Sequence, residues 1–271
     1  MPFFDVPGAS LYYETVGEGP LLLCIAGANG SLEIWKLLAD HLKECFKVAI
    51  YDRRGFSRSL LLGRQDYKYR LQTDADDAER LIRRLSPQKP VTVLGNSSGA
   101  IVALELLLRH PQAVQTLLCH EPPAIKLLPD SEAVMNSVRE VYQTYRNYGV
   151  APALEQFAEM VKAGEETNAL LAAFDPRSAG PYAFGNALYW FEREFLLYPP
   201  YDFDVEAIKA QREKLVLLNA NNTHKEALHH RTNMILSEKC GLPLYHMPGA
   251  HVGFAYLPAE WARKLFDVLR A

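Results

Sequence analysis

The 271-residue chain predicts an α/β fold: a mostly parallel β-sheet with helices on both faces and an inserted helical block. Three observations lead there. Short β-branched and apolar runs alternate with longer segments of helical character, the pattern of strands joined by helical crossovers. The stretch "PVTVLGNSSGAIVALELLL" compresses a strand, a very tight turn and a buried helix into 19 residues. Residues 130–198 carry only helical signals and interrupt the alternation, and so long a segment is not a structureless loop in a compact domain.

Along the chain, residues 3–16 read as a hairpin turning at Pro7-Gly8. Residues 21–26 form a buried strand, followed by "GANG" and a helix over 31–43 that Ser31 can cap. A strand over 46–51 ends in "DRRGFSRS", and a polar loop leads to a helix over 73–85. Residues 90–94 are the next strand and 100–108 a helix with apolar residues on most sides. A strand over 114–119 ends in "HEPP". Helices follow over 131–148, 152–163 and 181–198, rich in Tyr, Phe and Trp. Strands return at 214–218 and 243–246, separated by a helix near 225–236, and a last helix spans 259–269. The expected core is residues 1–123 and 206–271, with a helical cap over 124–205.

Composition narrows the function. Apolar residues are 49% of the chain, enough for a sizeable core. The net charge of −3 comes with no basic stripe, which argues against nucleic acid or an anionic membrane surface as partner. Cys24, Cys45, Cys119 and Cys240 are widely spaced, and Cys24 and Cys119 sit in apolar runs as packed thiols. No secretory leader and no apolar run of membrane-spanning length is read, so a cytoplasmic protein is expected. Whether it is a homodimer is left open.

The chemistry starts at Gly95-Asn96-Ser97-Ser98-Gly99. Glycines on both sides of Ser97 permit a strained strand-to-helix turn that lifts the serine side chain clear of the sheet. This is the Gly-x-Ser-x-Gly nucleophile elbow in its expected strand–turn–helix context. Together with "AGANG" after the third strand, "YDRRGFSRS" after the fourth and "PGAHVGF" near the end, the chain resembles the α/β-hydrolase family. The resemblance implies a hydrolase without cofactor or metal.

A serine hydroxyl needs a base. Of eight histidines, His251 sits in the loop that carries the base in that family. His110 reads as a helix terminus and His41 as a solvated helix face. His224, His229 and His230 read as a solvated helix rather than a metal cluster. The base needs a carboxylate to fix its tautomer. The family's common site for it, after the strand that follows the cap, reads "LVLLNANNTHKE": Asn219, Asn221 and Asn222 occupy the loop, and Glu226 comes later. Glu121, leaving the strand before the cap, is therefore assigned the acid. With that assignment, "TVLGNSSGA", "LLCHEPP" and "NALYWFEREFLLYPP" resemble the fungal zearalenone lactone hydrolases, whose triad is Ser-His-Glu. Those enzymes carry a substrate-contacting cap tryptophan, matched by Trp190.

The oxyanion is expected to be held by the backbone N–H groups of Ala28 and Ser98, with Asn29 lining the same pocket. Asp52 and Arg53 read as ties between loops. The cap aromatics Tyr142, Tyr145, Phe157, Tyr182, Phe184, Tyr189, Trp190 and Phe191 favour a bulky apolar ester or lactone. The rivals are a carbon–carbon bond hydrolase or perhydrolase on the same scaffold, or a hydrolase-fold ligand receptor with little turnover. Dehalogenase or epoxide hydrolase chemistry is disfavoured because those relatives carry Asp where Ser97 stands.

Overall fold

The computed structural model describes residues 3–270, so residues 1, 2 and 271 of the expected core lie outside the described residues. Among the described residues, nine strands form one sheet: β1 (Phe3–Val6), β2 (Ala9–Val16), β3 (Leu21–Ile25), β4 (Lys47–Tyr51), β5 (Leu60–Leu61), β6 (Val91–Asn96), β7 (Val114–His120), β8 (Leu215–Ala220) and β9 (Leu244–Met247). The order across the sheet is β1-β2-β4-β3-β6-β7-β8-β9, with β5 paired to β2. From β4 to β9 neighbours run parallel, while β2 is antiparallel to β1, β4 and β5.

Parallel strands need crossovers, and helices supply them on both faces. β3 shows the consequence: "LLLCI" is buried at every position. Leu21, Leu23 and Ile25 pack on one side with α2 (Arg70–Leu85) and α3 (Ser98–Arg109). Leu22 and Cys24 pack on the other with α1 (Lys36–Leu42) and the last helix, Pro258–Arg270. Ser31 does cap its helix, accepting the Glu33 N–H, but the first turn is a 3-10 turn, Leu32–Trp35.

Between β7 and β8 lie α4 (Ser131–Tyr148), α5 (Val150–Met160), α6 (Thr167–Ala173), α7 (Pro176–Ala179), α8 (Ala183–Arg193) and α9 (Val205–Ala210). The insertion has its own apolar cluster, in which Met135, Val138, Leu154, Trp190, Phe191 and Phe195 meet. The expected helix over 181–198 stops at Arg193, because Glu194 leaves helical geometry and turns its carboxylate onto Arg53. α6, α7 and α9, at four to seven residues, are too short to carry a periodic signal. α10 (Leu228–Cys240) runs four residues beyond its expected end, since Leu236 and Cys240 both pack into the core. A one-turn helix, α11 (Gly253–Tyr256), precedes α12 (Pro258–Arg270).

Candidate active site

β6 delivers Ser97 to the carboxyl edge of the sheet, and α3 starts at the next residue. Ser97 has φ 55° and ψ −127°, a backbone state that costs about 1–3 kcal/mol for a residue with a Cβ. Close packing enforces it. A Cβ on Gly99 would run into the carbonyl oxygens of Ile25 and Ala26, and one on Gly95 would meet the Gly99 carbonyl. The Ser97 N–H donates to His120 O at 3.0 Å, which fixes the turn against β7.

Glu121 follows β7 and is a second residue with positive φ, 47°. It is fully buried. Register explains what it meets: His120 pairs with Leu218 of β8, so Glu121 stands beside the start of the Asn-rich loop. The Ala220 N–H donates to Glu121 Oε1 at 3.0 Å and the Thr223 hydroxyl to Oε2 at 3.1 Å. The Asn-rich loop thus binds the carboxylate instead of supplying one.

His251 lies between β9 and α11, and its side chain is 21% exposed. Its Nδ1 is 2.6 Å from Glu121 Oε2. This contact selects the tautomer with hydrogen on Nδ1 and leaves Nε2 as a base. Burial alone would lower the His251 pKa, but the hydrogen bond and charge of Glu121 outweigh it and raise it. Burial alone would raise Glu121, but the His251 hydrogen bond and the neighbouring imidazoles hold it well below the usual carboxylate range. Glu226 is exposed.

Two histidines of α10 correct the sequence reading. His224 is exposed, but His229 and His230 are buried, not solvated. The His229 ring sits 4.2 Å from that of His251, and its Nε2 is 3.9 Å from Glu121 Oε2. Burial, helped by His251, pushes its pKa down to about 3, so it is neutral. Polarity misleads here because α10 lays polar side chains on strand ends: Asn233 Nδ2 donates to the carbonyls of Cys119 and Leu218. Glu121, His229 and His251 form one compact cluster, one side-chain N or O of each within 4.8 Å of the others, knit by the Glu121–His251 hydrogen bond.

Ser97 and His251 line one cavity of about 340 Å³, a volume in the small-molecule range. Gly27, Ala28, Asn29 and Ser98 line the serine end. Apolar side chains of the insertion, among them Val138, Phe157, Phe174 and Trp190, line the rest. The Asn29 side chain is already engaged: Nδ2 donates to Ala173 O at 3.0 Å and Oδ1 accepts the Ser31 N–H at 3.1 Å. Trp190 is 5% exposed and stacks on Phe174, so it serves core and cavity at once. Tyr182 and Phe184 of the aromatic set are exposed instead.

The sequence reading passed over Asn96, whose Nδ2 lies 2.9 Å from His120 Nδ1 and donates to His251 O at 3.2 Å. Its position inside the elbow was the available signal. Thr223, Glu166 and Tyr256, which touch the acid or the histidine loop, gave none.

The sheet order, with Ser97 on a strained elbow and His251 on the same cavity, can be set against known proteins. A family model described as the alpha/beta hydrolase fold matches residues 20–222, most of the chain, with Ser97 and Glu121 inside the match.

The chain belongs to the α/β-hydrolase family.

This α/β-hydrolase is 30% identical over 268 residues to Uncharacterized hydrolase YraK of Bacillus subtilis (strain 168), covering 98% of this chain and 94% of that one. Two solved structures share its fold. A thermophilic esterase from Thermogutta terrifontis (malate bound) has a TM-score of 0.73 at 19% identity, over 99% of this chain and 96% of that one. The enol-lactonase from Burkholderia xenovorans LB400 has a TM-score of 0.72 at 16% identity, over the whole of both chains. The protein is thus an enzyme of the hydrolase class on this fold, and among its described residues no helix is long and apolar enough to cross a membrane.

Proposed function

We propose that this protein is a serine hydrolase of esters or lactones with bulky apolar groups, a zearalenone-like macrocyclic lactone being the specific substrate. The reading rests on one observation above the others: the buried Glu121 carboxylate binds His251 Nδ1 at 2.6 Å, and His251 shares its cavity with Ser97 on the strained elbow. A second support is the apolar lining of that cavity. An esterase, an enol-lactonase and Est816, an N-acyl homoserine lactone degrading enzyme, also share the fold.

In this mechanism Ser97 Oγ attacks the substrate carbonyl as its proton passes to His251 Nε2. Glu121 stabilises the imidazolium. The Ala28 and Ser98 N–H groups hold the oxyanion, the second at the positive end of α3. His251 then protonates the leaving alkoxide, and the ester bond to Ser97 is hydrolysed by water that gives its proton to the same imidazole. A lactone yields one ring-opened hydroxy acid. The helical insertion acts as a cap whose Trp190 faces substrate, and Asn29 of the loop after β3 lines the same cavity.

The test is turnover of zearalenone and p-nitrophenyl butyrate, followed by chromatography and absorbance. Wild type should open the lactone or cleave the ester, Asn222→Ala should match it, and Ser97→Ala should do neither. Zearalenone untouched but ester cleaved would narrow the substrate, not the chemistry. Full turnover by Ser97→Ala would overturn the reading.

A further inference from the structure

One polar side chain of the insertion reaches the histidine loop. Glu166 ends the 3-10 turn Gly164–Glu166 between α5 and α6, is buried, and lines the cavity. Its Oε1 accepts the Val252 N–H at 3.1 Å. Tyr256 of α11 lies near the Glu166 carboxylate: burial, and then the Glu166 charge, raise its hydroxyl pKa. The same hydroxyl oxygen accepts the Ala250 N–H at 2.7 Å. Residues 250 and 252 are the two chain neighbours of His251. The turn carrying the imidazole is held on both sides, by the Glu166 carboxylate at Val252 and by the Tyr256 hydroxyl at Ala250.

A buried carboxyl is costly without donors: burial raises the Glu166 pKa, and the His251 charge and the Val252 N–H offset it only in part. The remaining holds on His251 come from the sheet: Asn96 on its carbonyl and Glu121 on Nδ1. Neither touches residue 250 or 252 in these contacts. We propose that Glu166 is a positioning residue for His251, acting through the Val252 N–H, so that the base is aligned only when the insertion is seated on the sheet. This rests on the serine-hydrolase reading above.

The charge of Glu166 adds a signature that mere scaffolding lacks. The titratable groups facing His251 are Glu121 and His120 at the end of β7, His229 of α10, Tyr256 of α11 and Glu166 of the insertion. His120 and His229 are kept neutral by burial. The acidic neighbours are therefore Glu121 and Glu166, and each, when ionised, favours the protonated imidazole.

The experiment uses the full chain and a fluorophosphonate probe, which labels an activated serine. Labelling rate against pH is measured for wild type, Glu166→Gln, Glu166→Ala and Tyr256→Phe, with the melting temperature of each. Glu166→Ala should label about tenfold more slowly on the high-pH plateau, since a hydrogen bond to a charged group is lost. Its acid limb should move to lower pH. Glu166→Gln keeps an acceptor but not the charge, so its plateau should stay within about threefold while its limb moves the same way. Tyr256→Phe should slow labelling without moving the limb.

Should Glu166→Ala unfold, the moved limb of the Gln variant still supports the proposal and an unmoved one overturns it. Plateau and limb unchanged in both Glu166 variants would overturn it while leaving the hydrolase reading intact. A wild type that does not label, or a Ser97→Ala that does, would remove both.

Discussion

The floor of the cavity comes from the ends of β3, β6 and β7, its roof from the helices between β7 and β8, and different forces hold them. In the floor, backbone pairing between parallel strands carries two strained residues, Ser97 and Glu121, at fixed places. In the roof, aromatic packing around Trp190 makes the shape. Two buried guanidiniums join the two: Arg70 donates to Glu194 Oε1 at 3.1 Å, and Arg53 makes the larger set of bonds. Arg53 donates to both Glu194 oxygens of the roof at 2.7 and 2.8 Å, to Asp74 of α2, and to the carbonyls of Ala26 and Gly27. In the proposed mechanism, bond-making geometry thus rests on paired strand backbone. Substrate shape is stored in apolar contacts, which tolerate volume-conserving change.

The sharpest way to break this division is at the floor. Ser97→Ala should lower kcat by about 10⁴-fold or more, the scale set by removal of a triad nucleophile. Retained turnover would move the chemistry elsewhere. Next, Glu121→Gln should cost about 10³- to 10⁴-fold in kcat, because the imidazolium loses its counter-charge. Activity needs neutral His251, and Glu121 raises the His251 pKa. Its removal should therefore shift the acid limb of kcat/KM to lower pH, and a shift upward would contradict the pairing.

The junction comes third. Glu194→Ala leaves Arg53 short of its bidentate partner, and urea unfolding should show a loss of about 3–5 kcal/mol. A loss below about 1 kcal/mol would mean that packing alone seats the roof. Within the roof, Trp190→Phe should cost about 1–2 kcal/mol through the volume lost. It should raise KM more than it lowers kcat; the opposite split would place Trp190 in the floor's job. Smallest of all, Phe184→Ser on the exposed side of α8 should stay within about 0.5 kcal/mol of wild type by the same unfolding measurement.

Much of the floor was legible. The elbow could be read because it is steric: two glycines around a serine, a strand before and a helix after. Glu121 could be singled out because it leaves a buried strand while the loop at 219–222 offers only amides and an alanine. The roof was readable as helices but not as a shape. α6 and α7 are too short to show a period, and the helix ending at Arg193 was overrun because its stop depends on Arg53, 141 residues away from Glu194. His229 and His230 were misread because a polar residue on a helix is normally solvated, and these lie against the sheet. Glu166 gave no sign, since its partner Val252 is 86 residues further on.

What the sequence by itself determined was the order of the longer strands and helices, the strained turn at Ser97 and the burial of β3, because those follow from sterics and periodicity over a few consecutive residues. What only the tertiary structure decided was which buried charges other than Glu121 meet, and where: Glu194 with Arg53, and Glu166 with the histidine turn. Partners of buried charges are selected by proximity between distant segments and by the cost of leaving an ion dry and unpaired, and neither is written in any local stretch of chain.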